Sequence, residues 1–187
     1  MSNTLKDPIQ IRFSGAGGQG LITAGVILAE AAMMDGRNVV QTQTYGPEAR
    51  LGSSRAEVII SKGTIAYPEV TLPDVLLCMS TEAAKKYAGK CTPETVVIFD
   101  STNIGPEFTS PGRVFRLPIT ETAIKVGTKV VANSVALCVL NTLVPVVPRE
   151  TLAAAIAARV PSKFRELNQR AGEAGEQLAA GLMTTTA

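Results

Sequence analysis

The chain has 187 residues, of which 45% are hydrophobic and only 4% aromatic, so it is long enough for one aliphatic core and short for two domains. Its 18 basic and 16 acidic residues give a formal net charge of +2, which indicates neither nucleic acid nor an anionic membrane as a partner. Three scattered cysteines and no histidine exclude a disulfide framework, a four-thiolate cluster within this chain and every histidine-dependent catalytic arrangement.

The first predicted elements form one βαβ unit. An apolar run over residues 9–14 predicts a strand, and apolar residues at helical spacing predict a helix over residues 20–35, which Gly36 ends. Residues 38–42 predict a second strand. The polar, glycine- and proline-rich residues 43–55 predict a loop, and loops of this length in compact domains are often functional.

The remainder of the chain predicts further strands and then helices. Strands are expected over residues 56–61, 74–80, 95–101 and 113–118, the last as an edge strand, with a short helix over 82–88. Helices are expected over 131–144, 149–160 and from Pro161 onward. The pattern predicts a single three-layer Rossmann-like α/β domain over residues 1–187, with short mobile ends, a mostly parallel sheet and helices on both faces. Because neither a long uncharged apolar run nor a signal-like N-terminus is present, we expect a soluble cytoplasmic protein.

A glycine motif lies between the first strand and the first helix. Gly15, Gly17 and Gly20 have the G-x-G-x-x-G spacing of dinucleotide-binding loops, and a helix N-terminus attracts anions. An NAD site also needs an acidic residue at the end of the second strand, where this chain has "TQT". The nearest acid is Glu48, and Arg50 is the arginine that an NADP site would use. Three interpretations stay open: a dinucleotide site, contact with another phosphate, or glycines that serve packing alone.

The loop after the second strand, "TYGPEARLGSSR", brings together Tyr45, Glu48, Arg50 and Arg55. In an open α/β sheet, loops after the carboxyl ends of strands line the ligand crevice. We predict that this loop and the glycine loop leave adjacent parallel strands and therefore lie side by side. The alternative is a solvated loop, in which Glu48 and Arg50 pair with each other or with a neighbouring subunit.

Four other residues have expected roles in the fold. Asp100 ends an apolar strand and is expected to cap the following turn, with a catalytic acid as the alternative. Asn133 is expected to be the N-cap of a helix, with a contact to the glycine loop as the alternative. Cys78 and Cys138 lie in apolar runs and are expected to fill the core.

Four segments in this order and spacing resemble one known family. "IRFSGAGGQGLITAGVILAEAA", "VVQTQTYGPEAR", "SRAEVIIS" and "PDVLLCMS" are similar to the gamma subunit of the 2-oxoacid:ferredoxin oxidoreductases. The combination of G-x-G-G-Q-G with a downstream Y-G-P-E is far more specific than either piece. One departure is Leu51 before Gly52, where the family usually has two glycines after the arginine.

The resemblance implies a subunit of an enzyme that decarboxylates a 2-oxoacid and transfers the acyl group to coenzyme A, with electrons passing to ferredoxin. Thiamine diphosphate, Mg²⁺ and the [4Fe–4S] clusters would belong to alpha and beta subunits, with a delta subunit as a further candidate, and this chain alone would bind none of them. "QTQTYGPEAR" and "AYPEV" look most like members that convert 2-oxoglutarate to succinyl-CoA. Two alternatives are a free-standing NAD(P)-dependent reductase and a purely structural assembly subunit.

The resemblance also selects the residues of a candidate ligand-facing surface. It implies no catalytic and no metal-binding residue in this chain. The candidate cofactor-binding residues are those of the two loops and the start of one helix: Gly15, Gly17, Gly18, Gln19, Gly20, Tyr45, Glu48, Arg50 and Asn133.

Overall fold

One six-stranded sheet organises the residues described by the computed structural model, which are 6–44 and 53–184. Its strands lie in the order β2-β3-β1-β4-β5-β6. Their bounds are β1 Ile9–Ala16, β2 Asn38–Thr44, β3 Ser53–Ser61, β4 Val75–Cys78, β5 Val96–Asp100 and β6 Arg113–Leu117. β1, β4, β5 and β6 pair in parallel, and β6 takes the edge position that the sequence predicts.

Helices cover both faces of this sheet, as predicted. Their bounds are α1 Leu21–Met34, α2 Thr81–Tyr87, α3 Ile119–Val126, α4 Ala132–Leu143, α5 Arg149–Arg159 and α6 Arg165–Thr184. One core cluster contains Phe13 of β1, Leu28 of α1 and Leu137 of α4, whereas the cluster on the other face contains Phe99 of β5 and Ala84 of α2. Burying a large apolar side chain in this way stabilises the fold by about 1.5–3 kcal/mol.

The position of β3 corrects one sequence-based expectation. β3 runs antiparallel between β1 and β2, pairing Ser53 with Ala16 on one side and Arg55 with Thr44 on the other. The prediction that β1 and β2 are adjacent parallel strands is therefore wrong. β1 and β2 run in the same direction, because both are antiparallel to β3, but they are not neighbours. The short connection between β2 and β3 explains their antiparallel pairing, since a parallel neighbour needs a crossover of about a dozen residues or more.

Several boundaries also differ from those predicted, and one helix was not predicted. β2 continues to Thr44 and β3 begins at Ser53, so both ends of the predicted loop over residues 43–55 belong to strands. The helix Ile119–Val126 was not predicted, because its eight residues directly follow a proline-terminated strand. Pro161 does not start the last helix; it precedes a 3-10 turn at Ser162–Phe164, and α6 begins at Arg165.

The three cysteines are all buried, which confirms that Cys78 and Cys138 fill the core. Burial raises the pKa of each thiol, for Cys138 to about 12. Across residues 6–44 and 53–184, no group of His, Cys, Asp and Glu side chains is arranged to hold a metal ion. Over the same ranges, no helix has both the length and the apolar character needed to cross a bilayer.

Candidate functional site

The glycine loop lies between two neighbouring strands whose following helices pack on opposite faces of the sheet. β1 and β4 are parallel neighbours, with Ser14 paired to Cys78 at their carboxyl ends. The helix after β1 packs in one core cluster, whereas the helix after β4 packs in the other, on the opposite face. In open α/β sheets, this arrangement opens a crevice in which ligands bind.

The side chain of Gln19 spans this crevice. Its Oε1 accepts a hydrogen bond of 2.7 Å from the backbone N–H of Ala16, at the end of β1. Its Nε2 donates a hydrogen bond of 2.9 Å to the backbone carbonyl of Met79, just after β4. One carboxamide therefore joins the ends of the two strands and uses a backbone N–H that would otherwise face the crevice.

The glycines of the motif differ in what they require. A Cβ on buried Gly15 would clash with Gln19 Oε1 and lie 2.6 Å from Leu21 Cδ1, so a side chain at this position must displace both neighbours. Gly18 and Gly20 have φ angles of +85° and +72°, in the left-handed region that favours glycine. Gly17 has neither restriction, because a Cβ there would meet open space and its φ is not positive.

Asn133 contacts the glycine loop. A Cβ built on Gly20 would lie 3.0 Å from Asn133 Nδ2 and 3.2 Å from Asn133 Cβ, so the two residues are in close contact. The expected N-cap role is wrong, since α4 begins at Ala132 with Val131 in the capping position. A 3-10 turn capped by the Thr128 side chain runs directly into α4, which moves the cap upstream of Asn133.

The second predicted loop is described only at its two ends. Tyr45, Glu48 and Arg50 lie outside the described residues. On the β3 side, Ser54 pairs with Gly15 in the sheet, and its hydroxyl donates to the Gly15 carbonyl at 3.3 Å. The antiparallel strand therefore brings one end of this loop directly to the glycine loop, although not by the adjacency that the sequence suggested.

Asp100 has a structural role at the end of β5. Its Oδ1 accepts from the backbone N–H groups of Thr102 and Thr120, both at 3.2 Å, and its Oδ2 accepts from Asn103 Nδ2 at 2.6 Å. The side chain is fully buried. The capping interpretation is confirmed, and the same carboxylate also holds the start of α3.

Residues 10–178 match the family described as pyruvate ferredoxin/flavodoxin oxidoreductase. The chain belongs to this family. It is 41% identical, over 91% of its length and 93% of the relative's, to the 2-oxoglutarate synthase subunit KorC of Methanocaldococcus jannaschii. The resemblance to a gamma subunit of this family is confirmed.

Two solved structures of family members have the same fold. The gamma subunit of a keto/oxoacid ferredoxin oxidoreductase from Geobacter sulfurreducens is 43% identical and superposes with a TM-score of 0.80, over 92% of this chain and 99% of that one. The 2-oxoglutarate:ferredoxin oxidoreductase of Magnetococcus marinus superposes with a TM-score of 0.86 at 24% identity. The similarity covers 95% of this chain and 32% of the Magnetococcus chain, so the fold recurs there as one part of a longer polypeptide. The predicted fold class is confirmed.

This oxidoreductase family member also contains a buried ion pair that sequence reasoning missed. Arg12 of β1 and Glu57 of β3 are 7% and 6% exposed, and Arg12 Nε donates to Glu57 Oε1 at 2.6 Å. Arg12 Nη2 donates to the Val70 carbonyl at 2.6 Å, and the guanidinium lies 5.1 Å from the centre of the Tyr87 ring. The available signal was the strict alternation of apolar and polar residues in "IQIRFS", which predicts one polar face of the sheet beneath the glycine loop.

Proposed function

We propose that this chain is the gamma subunit of a 2-oxoglutarate:ferredoxin oxidoreductase that forms succinyl-CoA. The observation that carries this proposal is 41% identity to a 2-oxoglutarate synthase subunit over nearly the full length of both chains. The structures of family members with the same fold support it. A cytoplasmic location and a single domain over residues 1–187 are part of the same proposal.

The cofactors of the complex belong to companion subunits in this proposal. Three cysteines cannot supply the four thiolates of a [4Fe–4S] cluster, and each of these thiols is buried in the core. We therefore assign the clusters, thiamine diphosphate and Mg²⁺ to alpha, beta and delta-type subunits, which also pass electrons to ferredoxin. Thiamine diphosphate supplies the carbanion chemistry of decarboxylation when it is bound there.

The contribution of this chain is a surface that faces the catalytic subunits where coenzyme A approaches. It consists of the glycine loop, Gly15–Gly20, together with residues 45–55, and we call it the glycine-loop surface. Gly17 and Gly18 are exposed at its tip, directly before the N-terminus of α1. The positive end of that helix, Arg50 and the partly exposed Arg55 favour an anionic ligand or an acidic partner.

Steady-state kinetics of the purified complex test the substrate. With a viologen dye as electron acceptor, we expect a higher kcat/KM for 2-oxoglutarate than for pyruvate or a branched 2-oxoacid. The complex should contain iron, labile sulfide and thiamine diphosphate, and this chain purified alone should contain none of them. A preference for pyruvate would refute the substrate assignment, and stoichiometric iron in the isolated chain would refute the division of cofactors.

The Arg50→Ala variant tests the glycine-loop surface. Loss of a charge-assisted contact worth about 1.5–3 kcal/mol should raise the KM for coenzyme A by at least tenfold or loosen the complex. Arg159→Ala is a matched control, because Arg159 pairs at 2.9 Å with Glu30 near the far end of α1. Wild-type coenzyme A kinetics and wild-type complex mass for Arg50→Ala would show that this surface is solvated.

A further inference from the structure

We infer that Gln19 is a positioning residue for the coenzyme A step, which holds the tip of the glycine loop without itself contacting a ligand. This inference rests on the proposed function. Its basis is that the carboxamide of Gln19 already bonds to the chain at both ends, to the Ala16 N–H at 2.7 Å and to the Met79 carbonyl at 2.9 Å. Its neighbours Gly17 and Gly18 have no such internal anchor and are exposed.

The loop is held from two sides. On the sheet side, Gln19 ties the loop to the end of β4, and its Oε1 occupies the space next to buried Gly15. On the helix side, Asn133 of α4 lies against Gly20. A backbone hydrogen bond of 3.3 Å from the Gln19 N–H to the Ala16 carbonyl closes the turn around Gly17 and Gly18, and these two contacts fix that turn against the rest of the fold. A backbone surface must be held in this way to bind reproducibly, since glycine is otherwise the most flexible residue.

The same contacts explain why the motif does not indicate a dinucleotide. In a dinucleotide site, the pyrophosphate occupies the crevice beside the helix N-terminus and accepts from free backbone N–H groups. Here the Ala16 N–H donates to Gln19, and the side chain bridges the two strands that would form the walls. The motif has the spacing of a dinucleotide-binding loop, but the Ala16 N–H and the Met79 carbonyl are both bonded to the chain's own glutamine.

The Gln19→Met variant of the whole complex tests this inference. Methionine keeps the length of the side chain and removes both hydrogen bonds. We expect the KM for coenzyme A to rise about threefold to tenfold, with kcat for saturating coenzyme A within about twofold of wild type. Amide exchange at Ala16 should accelerate. Gln169→Met is the matched control, because Gln169 bonds to Glu173 on the exposed surface of α6 and its replacement should change neither quantity.

The Gln19→Glu variant provides a second readout, which a purely structural role would not move. Its carboxylate accepts from Ala16 but faces the Met79 carbonyl, which raises its pKa, and its protonated form can again donate to that carbonyl. The KM for coenzyme A, relative to wild type, should therefore fall as the pH is lowered from about 8 to about 6. A ratio that does not depend on pH would overturn the inference.

The remaining outcomes separate this inference from the function on which it rests. An unchanged KM for coenzyme A in Gln19→Met, together with a raised KM in Arg50→Ala, would overturn only the role of Gln19. Wild-type KM values in both variants would overturn the role of the whole glycine-loop surface. Unchanged amide exchange at Ala16 would show that the bond to Gln19 does not hold the loop, and would also overturn the inference.

Discussion

Single alanine substitutions at Gly15, Gly17 and Gly18 should have three different effects on stability, although the three glycines belong to one motif. The structure gives a separate reason at each position. Gly15 is restricted by space, Gly18 by its φ of +85°, and Gly17 by neither. If the glycines served a bound phosphate alone, the three substitutions would leave the stability of the free chain almost equally unaffected.

The Gly15→Ala substitution should cost about 2–6 kcal/mol of unfolding free energy. Its Cβ would clash with Gln19 Oε1 and lie 2.6 Å from Leu21 Cδ1 and 3.1 Å from Met79 Cβ. Leu21 is only 1% exposed and must shift within a packed core, at a cost of about 1–3 kcal/mol. Displacing Gln19 sacrifices two hydrogen bonds, each worth about 0.5–1.5 kcal/mol net.

The other two substitutions meet open space. Alanine at Gly18 must adopt a left-handed backbone, which costs about 1–2 kcal/mol, less the gain of about 0.4–1 kcal/mol from a stiffer unfolded chain. Alanine at Gly17 receives only that gain and should be neutral or slightly stabilising. The expected order of stability is therefore Gly17→Ala, wild type, Gly18→Ala and finally Gly15→Ala.

Urea unfolding of the isolated chain, followed by circular dichroism, measures these differences at constant m-value. Gln19→Ala combined with Gly15→Ala provides a control, because removing the glutamine relieves the shortest contact and should make the two effects less than additive. A Gly15→Ala variant within about 0.5 kcal/mol of Gly17→Ala would refute the close packing on which this reasoning depends.

Four further predictions concern the core and the crevice. Glu57→Leu should cost about 3–5 kcal/mol, because it leaves the buried Arg12 guanidinium without its carboxylate, and Arg12→Met should cost less, because Glu57 keeps its ion pair with Arg55 at 3.8 Å. The double variant should cost clearly less than the sum of the two in a urea double-mutant cycle, and additive costs would contradict the pairing. Cys78 and Cys138 should resist Ellman's reagent at about pH 8 without denaturant, and rapid labelling would contradict their burial. Burial raises the pKa of both thiols in the folded state, for Cys138 to about 12. The stability that the buried neutral thiols contribute is therefore fully present below the unfolded-state pKa of about 8.5 and is lost as the pH rises toward the folded-state pKa. A urea midpoint that does not fall between about pH 8 and 10 would count against this. With Gln19 in the crevice, calorimetry should show no NADH or NADPH binding with a Kd below about 10 µM.

Much of the fold follows from local sequence patterns. The apolar run over residues 9–14 and the helical spacing after Gly20 locate β1 and α1 to within a few residues, because apolar side chains at these spacings must be buried. Asp100 is equally predictable, since a carboxylate at a strand end caps the turn that follows. These features depend on neighbours in the sequence.

The contacts of the site depend on distant residues instead. Asn133 lies more than a hundred residues from Gly20, and only the packing of α4 against α1 brings the two together. The contact of Gln19 also joins distant residues, because its partner Met79 becomes a neighbour only when β4 pairs with β1. The sequence shows that Gln19 and Asn133 are polar, but it does not show that the residues they contact belong to the same chain.

The antiparallel strand β3 determines what the glycine loop can bind. In a dinucleotide-binding sheet, the second strand lies next to the first, so the acid at its end is about 5 Å away from the first strand in the plane of the sheet. Here β3 separates the two, and Thr44 at the end of β2 is two strand spacings, about 10 Å, from β1. An acid in place of Thr44 would therefore not restore the ribose contact of a dinucleotide site. What β3 brings next to Gly15 instead is Ser54, whose hydroxyl donates to the Gly15 carbonyl at 3.3 Å.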